Sequence, residues 1–181
     1  MNIKLKEINE NDEKQINQMY EEYMNDKPIP GIERFEGIRA FEDYGEMNFE
    51  EWLKMLEREK IKEQLPEEYS THNLYFAVDE KEKIVGAIDL RWLDVPILMS
   101  FGGLIGYSVR PSERGKGYAS KMLKLGLEKF KTTNREKVLI TCKDFNMASK
   151  KVIEKNGGIY QNSYYNEKEG YTYLRYWINI K

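Results

Sequence analysis

The run Ile105-Gly106-Tyr107-Ser108-Val109-Arg110-Pro111-Ser112-Glu113-Arg114-Gly115-Lys116-Gly117-Tyr118-Ala119 concentrates the residue types that hold an anion. An apolar stretch ends at a proline, a short polar loop follows, and a helical apolar stripe opens beyond the second glycine. Gly115 and Gly117 leave the backbone bare, so a phosphate approaches the amide N–H groups without meeting a Cβ atom. The first turn of the helix adds its own free N–H groups and the positive end of its dipole. Arg114 and Lys116 contribute charge, and Ala119 keeps that turn small. Three ligand classes use such a loop. A nucleotide P-loop requires Ser or Thr after its lysine, where this chain has Gly117. A dinucleotide fingerprint requires a further glycine where Ser120 stands, and an acidic residue about 20 positions on, where the chain is basic and apolar. A pyrophosphate on a long neutral arm, as in coenzyme A, is the class left.

A second element lies downstream. Asn146-Met147-Ala148-Ser149 leads through Val152-Ile153-Glu154-Lys155 to Gly157, where a helix ends. Together with Arg114-Gly115-Lys116-Gly117-Tyr118-Ala119, it resembles the GNAT superfamily of N-acetyltransferases, whose signature is Arg/Gln-x-x-Gly-x-Gly/Ala. The resemblance covers about residues 73–160 directly, and the order of elements extends it to the whole chain. Gly86–Arg91, Gly106–Arg114, Leu139–Cys142 and Arg175–Ile178 are similar, more narrowly, to a group of bacterial acetyltransferases known chiefly from sequence.

The resemblance implies acetyl-CoA as cosubstrate and no metal. It assigns the backbone of Tyr107, Ser108 and Val109 to the pantetheine arm. Gly115, Lys116, Gly117, Tyr118, Ala119 and Ser120 then cradle the pyrophosphate beside Arg114, and Asn146 bonds the arm from its helix. It implies that the fourth and fifth strands splay apart around the arm. Acetyl passes directly to an amine, with an acid protonating the leaving thiolate. The chain departs from the family at two positions. Ile153 stands where many members carry the thiol-protonating tyrosine, and Thr141 where some carry a glutamate base.

Asp89 is the first candidate for the base or for an anchor of the substrate amine, because it interrupts an otherwise apolar strand. The competing reading pairs it structurally with Arg91, on the same strand face. Tyr164, Tyr165, Tyr171 and Tyr173 include possible acids. The lone Cys142 reads as a buried, inert thiol, and the lone His72 as a surface or capping residue. One cysteine excludes an intrachain disulfide and a Cys-rich zinc cluster. Trp52 and Tyr44 could line an acceptor pocket, although Trp52 sits on an apolar helical stripe.

The elements that must position these residues follow from the periodicities. A strand at 2–8 precedes helices at about 10–26 and 48–64, with Asn48 as a cap and Lys27–Gly31 and Pro66 as stops. The stretch 32–46 reads as loop or short helix. Strands at 74–78 and 84–92 form a hairpin, and a loop at 93–102 leads to a strand at 104–110. A helix at 117–131 follows, then a strand at 137–142, a helix at 146–156, and closing strands at 158–165 and 171–179. The sum is one α/β domain spanning 1–181, with a mixed, mostly antiparallel sheet of about seven strands and about four helices. Within it, 1–70 forms a helical acceptor side, 73–160 the acetyl-CoA core, and 158–181 the closing strands.

Charge divides along the same line. Residues 1–70 carry a net −9 and residues 71–181 a net +7, for −2 overall. A cationic amine acceptor on the acidic side fits this division, whereas a nucleic-acid binder would be basic overall. No apolar run reaches the ~20 residues of a membrane span, and the first residues lack a secretory pattern, so a cytoplasmic monomer or homodimer is expected. The chemistry expected is acetyl transfer from acetyl-CoA to a primary amine of a small molecule, peptide or protein. The alternative is a non-catalytic acyl-CoA sensor or partner-docking module.

Overall fold

The computed structural model describes residues 2–181. Seven strands and four α-helices follow in chain order: β1 (Ile3–Lys6), α1 (Glu13–Asn25), α2 (Phe49–Arg58), β2 (His72–Asp79), β3 (Ile84–Arg91), β4 (Ile105–Val109), α3 (Tyr118–Phe130), β5 (Lys137–Lys143), α4 (Met147–Lys155), β6 (Ile159–Asn166) and β7 (Tyr171–Asn179). The order is the one read from the periodicities, with ends shifted by a few residues.

Local chemistry sets some of those ends. Asn48 accepts from the Glu51 N–H while the Glu51 carboxylate takes the Asn48 N–H, a reciprocal cap that starts α2. The helix stops at Arg58, short of the expected 64. Tertiary structure decides this: the Glu59 carbonyl accepts from the His72 N–H, and the Glu59 carboxylate meets the His72 ring, so the chain turns there toward β2. Asn9 and Asp12 form a similar cap on a 3₁₀ turn that precedes α1.

The expected single mixed sheet is divided. β1-β2-β3-β4 form one antiparallel sheet and β5-β7-β6 another. Between β4 and β5 the described residues show one backbone hydrogen bond, Leu104 N–H to Leu139 O at 2.8 Å, at the start of β4. Beyond it the strands part, so the splay between the fourth and fifth strands is present and the parallel ladder is not. Helices cover both faces. Ile88, Leu90, Met122, Leu127, Val138, Ile140 and Ile153 meet in one core under α3 and α4. Ile16, Tyr23, Phe41, Trp52 and Phe76 meet in the other under α1 and α2. Gly126 lets α3 lie close on β3, where an added Cβ would press on Ile88.

Candidate active site

The gap between β4 and β5 has an anion cradle at one end and a charged, aromatic rim at the other. The cradle follows β4. A 3₁₀ turn at Pro111–Glu113 is followed by Gly115 at φ 77° and by Gly117 at φ 82°, the latter being the N-cap of α3. Both glycines adopt left-handed backbone that a β-carbon disfavours. Nothing stands within 4 Å of where their side chains would begin, so the loop faces open space. No side chain caps α3, and among the described residues the N–H groups of Gly115, Lys116, Gly117, Tyr118, Ala119 and Ser120 have no partner. Successive unpaired donors at a helix N-terminus constitute an anion site.

The two cations of the loop are already engaged. Arg114 pairs with Asp26 at the end of α1, and Lys116 with Glu113 at 2.8 Å. Glu113 also takes Lys83 at 2.5 Å, and these hydrogen bonds hold its carboxyl below the usual range. Backbone donors, rather than free side-chain charge, dominate the cradle.

Along the gap, Tyr107 and Val109 lean into the core under α3 and α4. Ser108 faces the other way and accepts from the Tyr23 hydroxyl at 2.9 Å. Across the gap, the Asn146 side-chain oxygen takes the Ser149 N–H at 3.0 Å, capping α4 while its amide nitrogen stays free to donate. The Tyr107 hydroxyl reaches Ser149 Oγ at 3.0 Å. Ser120 accepts from Asn156. These contacts join β4 to α4 through Tyr107 and Ser149, and α3 to α4 through Ser120 and Asn156.

The positions that depart from the family pattern have structural work. Ile153 is fully buried against Gly158. Thr141 Oγ1 donates to the Phe101 carbonyl at 2.6 Å, holding a single π-helical turn, Leu98–Gly102, where a plain loop was expected. Cys142 is buried and its thiol is pushed up to about 12 by desolvation, then by Glu36, which leaves it inert.

Asp89 is only 4% exposed, with both oxygens taken: His72 Nδ1 lies at 2.5 Å and Arg91 Nε at 2.9 Å. The ion pair with Arg91 exists, and His72 enlarges it, since His72 Nε2 also meets Glu59 at 2.7 Å. His72 is thus a half-buried member of a charge network rather than a surface or capping residue. Burial opposes its imidazolium, but the Asp89 charge and the bonds to Asp89 and Glu59 outweigh it, raising the group to about 10. The same partners overcome the desolvation of Asp89 and hold its carboxyl low. Arg91 continues to the carbonyls of Gly102 and Gly103, fixing the end of the π turn.

Sequence reasoning missed the roof of the gap. Gly37 packs directly on Gly106, where a side chain would overlap its carbonyl oxygen, so the segment 31–37 crosses β4. Lys143, buried on β5, donates to the Gly31 carbonyl at 2.9 Å and lies 3.2 Å from Glu36. That segment therefore bridges both strands. Burial raises the Glu36 carboxyl despite Lys143. Beside it, Phe101 stacks on Tyr164 and contacts Tyr173, whose hydroxyl donates to Glu169. Glycines at 31 and 37 bracketing two glutamates were the available signal. Tyr44 and Trp52 are both core residues; Trp52 Nε1 donates to the Ala40 carbonyl.

With this geometry, the comparisons are decisive at the level of class. Residues 8–159 match the model of the acetyltransferase (GNAT) domain, so the chain belongs to the GNAT acetyltransferase family and is an acyltransferase. Solved structures of similar fold include a chimera of the spermidine N-acetyltransferase SpeG from Vibrio cholerae with hSSAT. It is 12% identical with a TM-score of 0.62, over 99% of this chain and 96% of that one. RimL, a ribosomal L7/L12 α-N-protein acetyltransferase in complex with coenzyme A, is 16% identical with a TM-score of 0.61, over 98% and 93%. A crystal structure described as a phosphinothricin N-acetyltransferase gives 16% and 0.57, over 99% of both chains. A search of curated protein sequences returns no match. Among the described residues no helix is long and apolar enough to cross a membrane, and no group of His, Cys, Asp or Glu is arranged to hold a metal ion.

Proposed function

We propose that this acyltransferase moves acetyl from acetyl-CoA to a primary amine, and that the amine belongs to a cationic acceptor. The observation that carries the donor is the run of unpaired N–H groups from Gly115 to Ser120 at the end of the parted strands. A pyrophosphate meets those donors, and an extended arm fits between β4 and β5, where the amide nitrogen of Asn146 is free to bond it. The thioester then lies toward Tyr107. Asp89 serves this site indirectly, by fixing Arg91 and the π turn.

The acceptor side rests on the rim. Glu33, Glu36 and Glu169 all lie close enough to Tyr173 to raise its phenol, after burial and the bond to Glu169. Carboxylates beside the Phe101, Tyr164 and Tyr173 rings suit an ammonium-bearing molecule, by charge and by cation–π attraction. The amine that reacts must shed its proton, and Glu36, buried and raised, is the carboxylate assigned to receive it.

Titration calorimetry with acetyl-CoA tests the donor. Gly117→Asp puts a carboxylate into the cradle at a position with nothing within 4 Å, so the added side chain meets no clash and its cost is the left-handed backbone, about 1 kcal/mol. The expected result is loss of detectable binding with a melting temperature within a few degrees of wild type. Unchanged affinity in that variant would remove the proposal.

A further inference from the structure

Ile153 has no proton to give, so the group that protonates the leaving thiolate must lie elsewhere. The phenols of the protein differ in what their hydroxyls face. Tyr173 donates to Glu169, and Tyr176 faces Glu154 at 3.4 Å. Each therefore sits against a carboxylate, which opposes delivery of a proton to a second anion. Tyr23 bonds Ser108, so it joins α1 to β4 within one half of the molecule. Tyr107 alone among these crosses from one half to the other. It leaves β4 just beyond the last bond to β5, at Leu104, and its hydroxyl meets the first turn of α4. That turn is the one Asn146 caps. The phenol lies within the core that α3 and α4 cover and has a neutral hydroxyl as its partner.

We propose that Tyr107 is the general acid of the transfer, with Ser149 as its relay. Resting on the donor assignment above, the step balances as follows. The neutral amine forms a C–N bond to the thioester carbonyl, and collapse of the adduct breaks the C–S bond, leaving the pair on sulfur. The Tyr107 hydroxyl gives its proton to that sulfur, releasing the free thiol. The phenolate recovers a proton through Ser149, matching the one the amine nitrogen loses. Burial keeps this phenol protonated until a thiolate forms beside it. Tyr107 is thus doubly useful at one position: its main chain lines the arm and its side chain spans the gap.

The test uses the full-length protein with acetyl-CoA as donor and hydroxylamine as a small neutral nucleophile that bypasses acceptor recognition. Binding of coenzyme A, melting temperature and kcat are measured for wild type, Tyr107→Phe, Ser149→Ala and Tyr23→Phe. The expected result for Tyr107→Phe is a kcat lower by on the order of a hundredfold with coenzyme A affinity preserved. Ser149→Ala should lose less, and Tyr23→Phe should keep kcat near wild type although it too loses a buried phenol hydrogen bond. A Tyr107→Phe kcat within about twofold of wild type overturns the proposal. So does a loss that only tracks weakened coenzyme A binding, or an equal loss in Tyr23→Phe. Failure of the wild type to bind coenzyme A overturns the donor assignment instead, and the acid with it.

Discussion

At the scale of single residues, the network Glu59–His72–Asp89–Arg91 shows how a carboxylate that looks catalytic can be committed to architecture. Asp89 interrupts an apolar strand, which marks it in the sequence, but only the fold brings His72 of β2 opposite Arg91 of β3. Removing one partner of such a buried set leaves charge without compensation and costs about 3–5 kcal/mol. Asp89→Asn should therefore lower the urea midpoint strongly while leaving acetyl-CoA affinity largely intact in the folded fraction. The raised His72 gives a pH signature. Its stabilisation is complete below about 6.5 and is lost as pH climbs through about 10. Urea unfolding across that window should show a falling midpoint in wild type and a flatter profile in His72→Gln. A wild-type midpoint independent of pH there would refute the linkage.

At the scale of elements, the contact between Gly37 and Gly106 decides where the acidic segment lies. Strand β4 can carry a roof because position 106 has no side chain, and Arg91, Thr141 and Arg175 tie down the π turn that presents Phe101. Gly106→Ala should lift the roof at a cost of about 1–3 kcal/mol, the usual range for overpacking. Its kinetic mark should be a raised KM for the amine with a smaller change in acetyl-CoA affinity, measured by initial rates against calorimetry. Equal effects on both ligands would show that the segment does not serve the acceptor. The elements themselves were legible: period-two and helical patterns located all seven strands and four helices. The capping residue Asn48 was visible too, because a cap is a contact between residues three apart. The early end of α2 was not legible, because it depends on His72, distant in sequence.

At the scale of the whole molecule, the uneven charge of the two halves becomes an electrostatic orientation. The acidic half supplies Glu33 and Glu36 to the rim, while the other half supplies the backbone cradle. If steering toward a cationic amine operates, kcat/KM for a polycationic amine acceptor should fall as salt rises from about 20 to 200 mM, through the shortening screening length. The rate with neutral hydroxylamine should change far less, and equal salt responses would exclude steering. The sequence by itself determined the glycine loop, the family and the order of elements, since each depends on residues near one another in the chain. The tertiary structure alone decided that the sheet parts at Leu104, that Arg114 pairs with Asp26, and that Tyr107 reaches Ser149 across the gap. Those outcomes join residues far apart in sequence, and no local pattern encodes which partner a buried charge or hydroxyl meets. The loop read from Gly115 and Gly117 is therefore a property of the segment, whereas the contact of Tyr107 with Ser149 is a property of the fold.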